Sequence, residues 1–156
     1  MSEMYTPSDF TNFPWMKFAL QEYGQREVTG ARSNPRIDAY LRTVGISGGD
    51  ETAWCSAFVN WCLEQVGIPG TRRANARSWL NWSNSTTCLQ TPSYGAVVIL
   101  TRGSTSGWQG HVGFYVGHEA SNLILLGGNQ GNAVSIRPYA SSRLLGYRLP
   151  NGYFSS

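Results

Sequence analysis

Charge is scarce in this chain. Asp, Glu, Lys and Arg make up 13% of its 156 residues, about half the ~25% of an average soluble domain. That excludes a coiled coil or long-helix protein, which is rich in Glu and Lys. Disorder is excluded as well, because 6 Trp, 8 Tyr and 6 Phe accompany the low charge. The formal net charge is only +3, with 12 basic and 9 acidic residues. So mild a balance permits attraction to an anionic polymer without requiring nucleic acid, and the low lysine content argues against a nucleic-acid partner. The longest apolar runs, 96–100 and 123–126, fall far short of the roughly 20 residues of a membrane span. Residues 1–13 are polar, carry Glu3 and Asp9, and lack the basic start and apolar stretch of a secretory signal. The 3 cysteines are odd in number and show no CxxC spacing. With 2 histidines, neither in a ligand motif, no zinc site is expected.

What is present is glycine, 18 residues of it, together with enough length for one domain with a core of its own. The N-terminal half reads as helices. Asn12 and Pro14 signal a helix start, and Trp15, Phe18 and Ala19 follow at helical spacing up to Gly24. Asn34-Pro35 repeats the signal ahead of Ile37, Tyr40, Leu41 and Val44. A third helix is predicted over 53–66, with Cys55, Phe58, Val59, Cys62, Leu63 and Val66 as its buried stripe. A short fourth is expected over 75–82. After Pro92 the pattern changes to short strands at 96–100, 111–117, 123–127, 133–136 and 144–149, separated by Gly, Ser and Asn turns. Helices first and strands second give an α+β domain with an antiparallel sheet. Residues 1–13 are read as an extension and 14–156 as a single domain.

Cys55 falls in the first turn of the third helix, where unpaired N–H groups and the helix dipole favour a thiolate. Cys62, two turns on, reads as a buried core residue. A cysteine nucleophile needs a base. His111 opens a strand, and a hairpin across a five-residue turn at 118–122 sets Gly117 opposite Leu123 and His111 opposite Asn129. The Asn129 amide then accepts from one ring nitrogen and leaves the other to take the thiol proton. A register slip of one residue would destroy the arrangement. Neighbouring Gln130 is the rival for this third place. His118, in the turn, reads as a solvated loop residue. Neither a GxSxG elbow nor a GxGxxG nucleotide loop occurs. Once Cys55 is reserved for chemistry, only Cys62 and Cys88 remain as a conceivable disulfide.

Several blocks carry a family resemblance: Pro14-Trp15-Met16, Ser33-Asn34-Pro35-Arg36-Ile37, Ala53-Trp54-Cys55-Ser56-Ala57-Phe58, Ala76-Arg77-Ser78-Trp79-Leu80, Gly110-His111-Val112-Gly113-Phe114-Tyr115 and Leu126-Gly127-Gly128-Asn129-Gln130. Together, over residues 14–150, they resemble the CHAP/NlpC-type cysteine peptidoglycan hydrolases, in particular a compact subgroup of prophage lysins and secreted antibacterial effectors. The resemblance implies a papain-like α+β fold with helices packed on an antiparallel sheet. It implies Cys55 as nucleophile, His111 as base and Asn129 as the third polar residue. The expected activity is amide hydrolysis in peptidoglycan stem peptides without a cofactor, by an endopeptidase. An N-acetylmuramoyl-L-alanine amidase or a non-catalytic wall-binding module on the same fold are the alternatives. Trp54, Trp108 and Tyr115 are candidate cleft walls, and Gln130 is a candidate substrate contact. Arg72, Arg73 and Arg77 are either a solvated basic face or contacts for stem-peptide carboxylates. A monomer is expected, made in the bacterial cytoplasm and acting in the periplasm or wall after phage lysis or secretion. A cognate immunity protein and secretion components are its implied partners.

Overall fold

A computed structural model describes residues 2–4, 13–28, 34–46, 54–89, 91, 93–103, 106–107 and 109–153. Three helices come first after strand β1 (Ser2–Met4): α1 (Trp15–Gln21), α2 (Pro35–Arg42) and α3 (Trp54–Glu64). A 3₁₀ turn follows at Ala76–Asn81, and then β2 (Ser85–Leu89), β3 (Val97–Thr101), β4 (Gly110–Glu119), β5 (Asn122–Gly127), β6 (Ser135–Ala140) and β7 (Leu144–Pro150). The described strands form one antiparallel sheet in the order β2-β7-β3-β4-β5-β6, with β1 paired to β4. The α+β class read from the sequence is the observed one.

The helix starts follow the expected chemistry. Pro14 precedes α1, and the Asn34 side chain accepts from the Arg36 N–H ahead of α2, with Pro35 in the first position. Asn12 and Ala53 lie outside the described residues. Helix α3 differs from the prediction in its burial. Every residue from Trp54 to Leu63 is buried, so the helix is enclosed all round rather than along one stripe. On one side Tyr40 of α2 stacks on Trp54 and meets Phe58 and Trp61 edge-on. On the other, Phe58 meets Phe114 of β4. Each such side chain contributes about 1.5–3 kcal/mol on burial. Helices α1 and α2 are joined by the buried carboxylate of Glu22, which accepts two bonds from Arg36 at 2.8 Å and one from Tyr40 at 2.6 Å. Cys62 is a free thiol in this core. No helix among the described residues is long and apolar enough to cross a membrane.

Three strand expectations needed correction. Strand β2 was not foreseen, because Ser85-Thr86-Thr87 offers no apolar alternation; its ladder to β7 defines it. Strand β6 runs to Ala140 instead of stopping at 136, and it contains Pro138. Proline lacks the donor a central strand needs, but β6 is an edge strand. The β4–β5 turn is also tighter than five residues. Glu119 pairs with Asn122, leaving Ala120 and Ser121 as the turn, with Ala120 at φ 52. A bulge between Tyr115 and Gly117 then restores the register, so that Phe114 lies opposite Leu126.

The sheet is strongly coiled. Tyr139 of β6 pairs with Leu123, which pairs with His118. His111 lies seven residues from that rung along β4, or ~23 Å in a flat sheet. Yet the rings of His111 and Tyr139 stack with centroids 5.0 Å apart. Only a curled sheet brings them together.

Candidate active site

Cys55 is buried in the first turn of α3. Main-chain amide donors of Val112, Ser56 and Cys55 favour its thiolate form. Val112 immediately follows His111 on β4, so the sulfur lies against the strand that carries the histidine. Burial is the dominant influence on the thiol and pushes its pKa up; these donors and the charge of Arg102 act in the opposite direction.

The His111 ring is buried and held on two sides. Tyr139 covers one face, and Arg143 lies over Tyr139 at 5.3 Å. Arg143 is itself fixed by two bonds to the Thr101 carbonyl, at 3.1 and 2.8 Å. At the ring edge, Nε2 is 2.9 Å from Oε1 of Gln130. The orientation of that carboxamide is determined by its other end. Its Nε2 donates to the carbonyls of Leu125 (3.1 Å) and Ser135 (2.7 Å), so Oε1 must be the atom facing the imidazole. An acceptor there requires His111 Nε2 to carry the proton. Nδ1 is therefore left with its lone pair. Burial pushes the imidazole pKa down to about 4, assisted by Arg102 and Arg143 and opposed by the Gln130 bond. Thiol and imidazole are accordingly both biased to their neutral forms at rest.

The partner of His111 is thus Gln130 and not Asn129. The expected register does hold beyond the bulge, but β5 ends at Gly127. Asn129 adopts φ 55, and Gly131 and Asn132 are also left-handed, so the chain turns back on itself. Gln130 closes this loop, with its N–H on the Ala133 carbonyl and its own carbonyl accepting from Ser135 Oγ. The longer side chain reaches back over the strand ends to the ring. Gly127 leaves room for it, since a Cβ there would meet Gln130 Oε1 at 2.5 Å. The role of Gly127 was missed from sequence, and so was Tyr139, which had no signal beyond its aromatic character.

Two proposed cleft walls are placed elsewhere. Trp54 is in the core, with Nε1 bonded to Glu27 at 2.6 Å. Tyr115 is buried, with its hydroxyl 2.8 Å from His118 Nδ1, so His118 is engaged rather than simply solvated. Trp108 lies outside the described residues.

The CHAP domain family matches residues 47–129, a segment that includes α3, β4 and β5. Seven chains of solved structures resemble this one. Among them is a protein from Staphylococcus aureus subsp. aureus Mu50 described as similar to lipoprotein, NLP/P60 family, at 17% identity and a TM-score of 0.54. The alignment covers 94% of this chain and 43% of that one, so the present chain spans less than half the length of that protein. The likeness supports the papain-like α+β fold. No curated protein matches the chain.

Proposed function

The chain belongs to the CHAP domain family, and on that footing we propose that it is a cysteine hydrolase that cuts amide bonds in peptidoglycan stem peptides, with Cys55 as nucleophile, His111 as base and Gln130 as the residue that orients the ring. One observation carries this reading. The only buried histidine has Nε2 committed to Gln130, while the main-chain amide of the next residue on its strand favours the thiolate of a buried helix-start cysteine.

In the proposed reaction His111 Nδ1 accepts the thiol proton as Cys55 Sγ attacks the amide carbonyl. The carbonyl oxygen gains the negative charge and is held by N–H groups at the start of α3, among them that of Cys55. Collapse of the tetrahedral intermediate breaks the C–N bond, and the imidazolium returns its proton to the departing amine. Water, deprotonated by the same imidazole, then hydrolyses the thioester. A neutral thiol–imidazole pair suits general-base attack, because the proton moves only as the new bond forms.

Incubation of purified sacculi with the wild-type protein and with Cys55→Ala, followed by mass mapping, tests the proposal. New termini inside the stem peptide from wild type alone support an endopeptidase. Release at the N-acetylmuramoyl–L-alanine link supports the amidase alternative. Retention of the protein on sacculi with no bond cut supports a wall-binding module.

A further inference from the structure

Beside this site lies a polar groove of about 540 Å³ to which no role has been assigned. It is of ligand size. Arg73, Arg77, Asn75, Asn81 and Trp82 line it, and no carboxylate does. Two hydrogen bonds tie its wall to segments next to the reacting groups. Ser56, the residue after Cys55, donates its hydroxyl to the Arg73 carbonyl at 2.6 Å. Arg77 Nε donates to the carbonyl of Gln109, two residues before His111, at 2.6 Å. Two lining arginines are thus bonded to the chain within two residues of Cys55 and of His111.

The walls are fixed before any ligand arrives. Buried Asn60 accepts from the Arg72 N–H at 2.8 Å, and the hydroxyls of Thr71 and Ser78 are bonded at 2.9 Å. Trp82 Nε1 donates to the Pro69 carbonyl at 3.0 Å. The three arginines of this segment differ in their use. Arg72 pairs with Glu64 at 3.1 Å. Arg77 is engaged with Gln109. Arg73 contributes its main-chain carbonyl to the fold, and no bond among the described residues ties its exposed guanidinium. A guanidinium beside side-chain amides matches a carboxylate carried on a peptide: the fork takes both carboxylate oxygens, and the amides take peptide N–H and C=O groups. A single groove on a chain of net charge +3 does not match a nucleic-acid backbone, which needs an extended basic surface.

We propose that this groove is the subsite for a carboxylate-bearing residue of the peptide cut at Cys55, and that Arg73 selects the free carboxylate over its amide. The proposal rests on the hydrolase reading above. It is tested with Cys55→Ala protein and two probes, the stem tetrapeptide L-Ala-γ-D-Glu-diaminopimelate-D-Ala and the same peptide with its D-Glu and diaminopimelate side carboxylates amidated. Calorimetric titration should show about tenfold tighter binding of the free acid. Arg73→Gln in the same background should abolish that preference while leaving the melting temperature unchanged. Equal affinity for the two peptides, retention of the preference in Arg73→Gln, or no binding of either peptide at millimolar concentration overturns the subsite. The two readings fail separately. A wild-type enzyme that cuts both peptides with equal kcat/KM removes the subsite and keeps the hydrolase. A carboxylate preference that depends on Arg73, in a protein that cuts no bond in sacculi, keeps the subsite and removes the hydrolase.

Discussion

Nε2 of His111 lies 2.9 Å from Oε1 of Gln130, whose amide nitrogen is already committed to two main-chain carbonyls. The tautomer of the histidine is therefore decided by a residue that neither donates nor accepts a proton in the reaction. Gln130→Ala should lower kcat by about 10–10²-fold, less than loss of the base itself, which accounts for ~10²–10⁴-fold. Gln130→Glu should be destabilised at neutral pH, since a carboxylate leaves the Leu125 and Ser135 carbonyls facing an acceptor, at about 1–3 kcal/mol for each unmet group. Asn129→Gly, which keeps the left-handed turn, should retain near-wild-type kcat. Steady-state kinetics on the three variants check this. Wild-type kcat in Gln130→Ala would remove Gln130 from the site.

Gly127→Ala offers a second route to the same bond. The added methyl would approach Gln130 Oε1 at 2.5 Å and its Cδ at 3.0 Å, so the carboxamide must move away from the ring. We expect a fall in kcat with little change in KM and a destabilisation of about 1–3 kcal/mol from overpacking. Kinetics paired with urea unfolding separate the two effects.

Cys55 and Cys62, both buried, should divide chemistry from packing. Cys55→Ala is expected to abolish hydrolysis with little loss of stability, because alanine is accepted in a helix first turn. Cys62→Ala should retain activity and cost about 1 kcal/mol, a small cavity in the core. Thiol alkylation with and without each substitution assigns the inhibited residue. Hydrolysis surviving in Cys55→Ala would defeat the mechanism.

Acid should act through His111. Its folded-state pKa, about 4, lies below the ordinary 6.5. Between these values the unfolded chain binds the extra proton, so stability rises with pH across the window and falls as pH drops from 6.5 to 4. A shift of this size corresponds to about 3 kcal/mol. Urea unfolding at pH 7 and at pH 4.5 should show a smaller acid loss for His111→Gln than for wild type. The acid limb of kcat/KM should likewise fall near pH 4, not 6.5. Tyr139→Ser, which uncovers the ring face, should move that limb upward. An unchanged limb in Tyr139→Ser would show that the stack does not keep water from the imidazole.

Local chemistry wrote most of this molecule into its sequence. Asn34-Pro35 started α2, the apolar spacing built the helices, and Cys55 had to fall where a helix begins, because all of these depend on neighbours within a few residues. The period of two in β4 and β5 brought the end of the returning strand to the histidine. What sequence alone left undecided are properties of closure in three dimensions. A bulge at Tyr115/Gly117 compensates for a tighter turn, and neither is visible from alternation. Three left-handed residues reverse the chain after β5, so Gln130 and not Asn129 meets the ring. The burial of Trp54 follows from α2 packing over α3, a contact between segments with their own independent patterns. Tyr139 reaches His111 only because the whole sheet coils, and coiling is summed over every strand pair rather than encoded at any one residue.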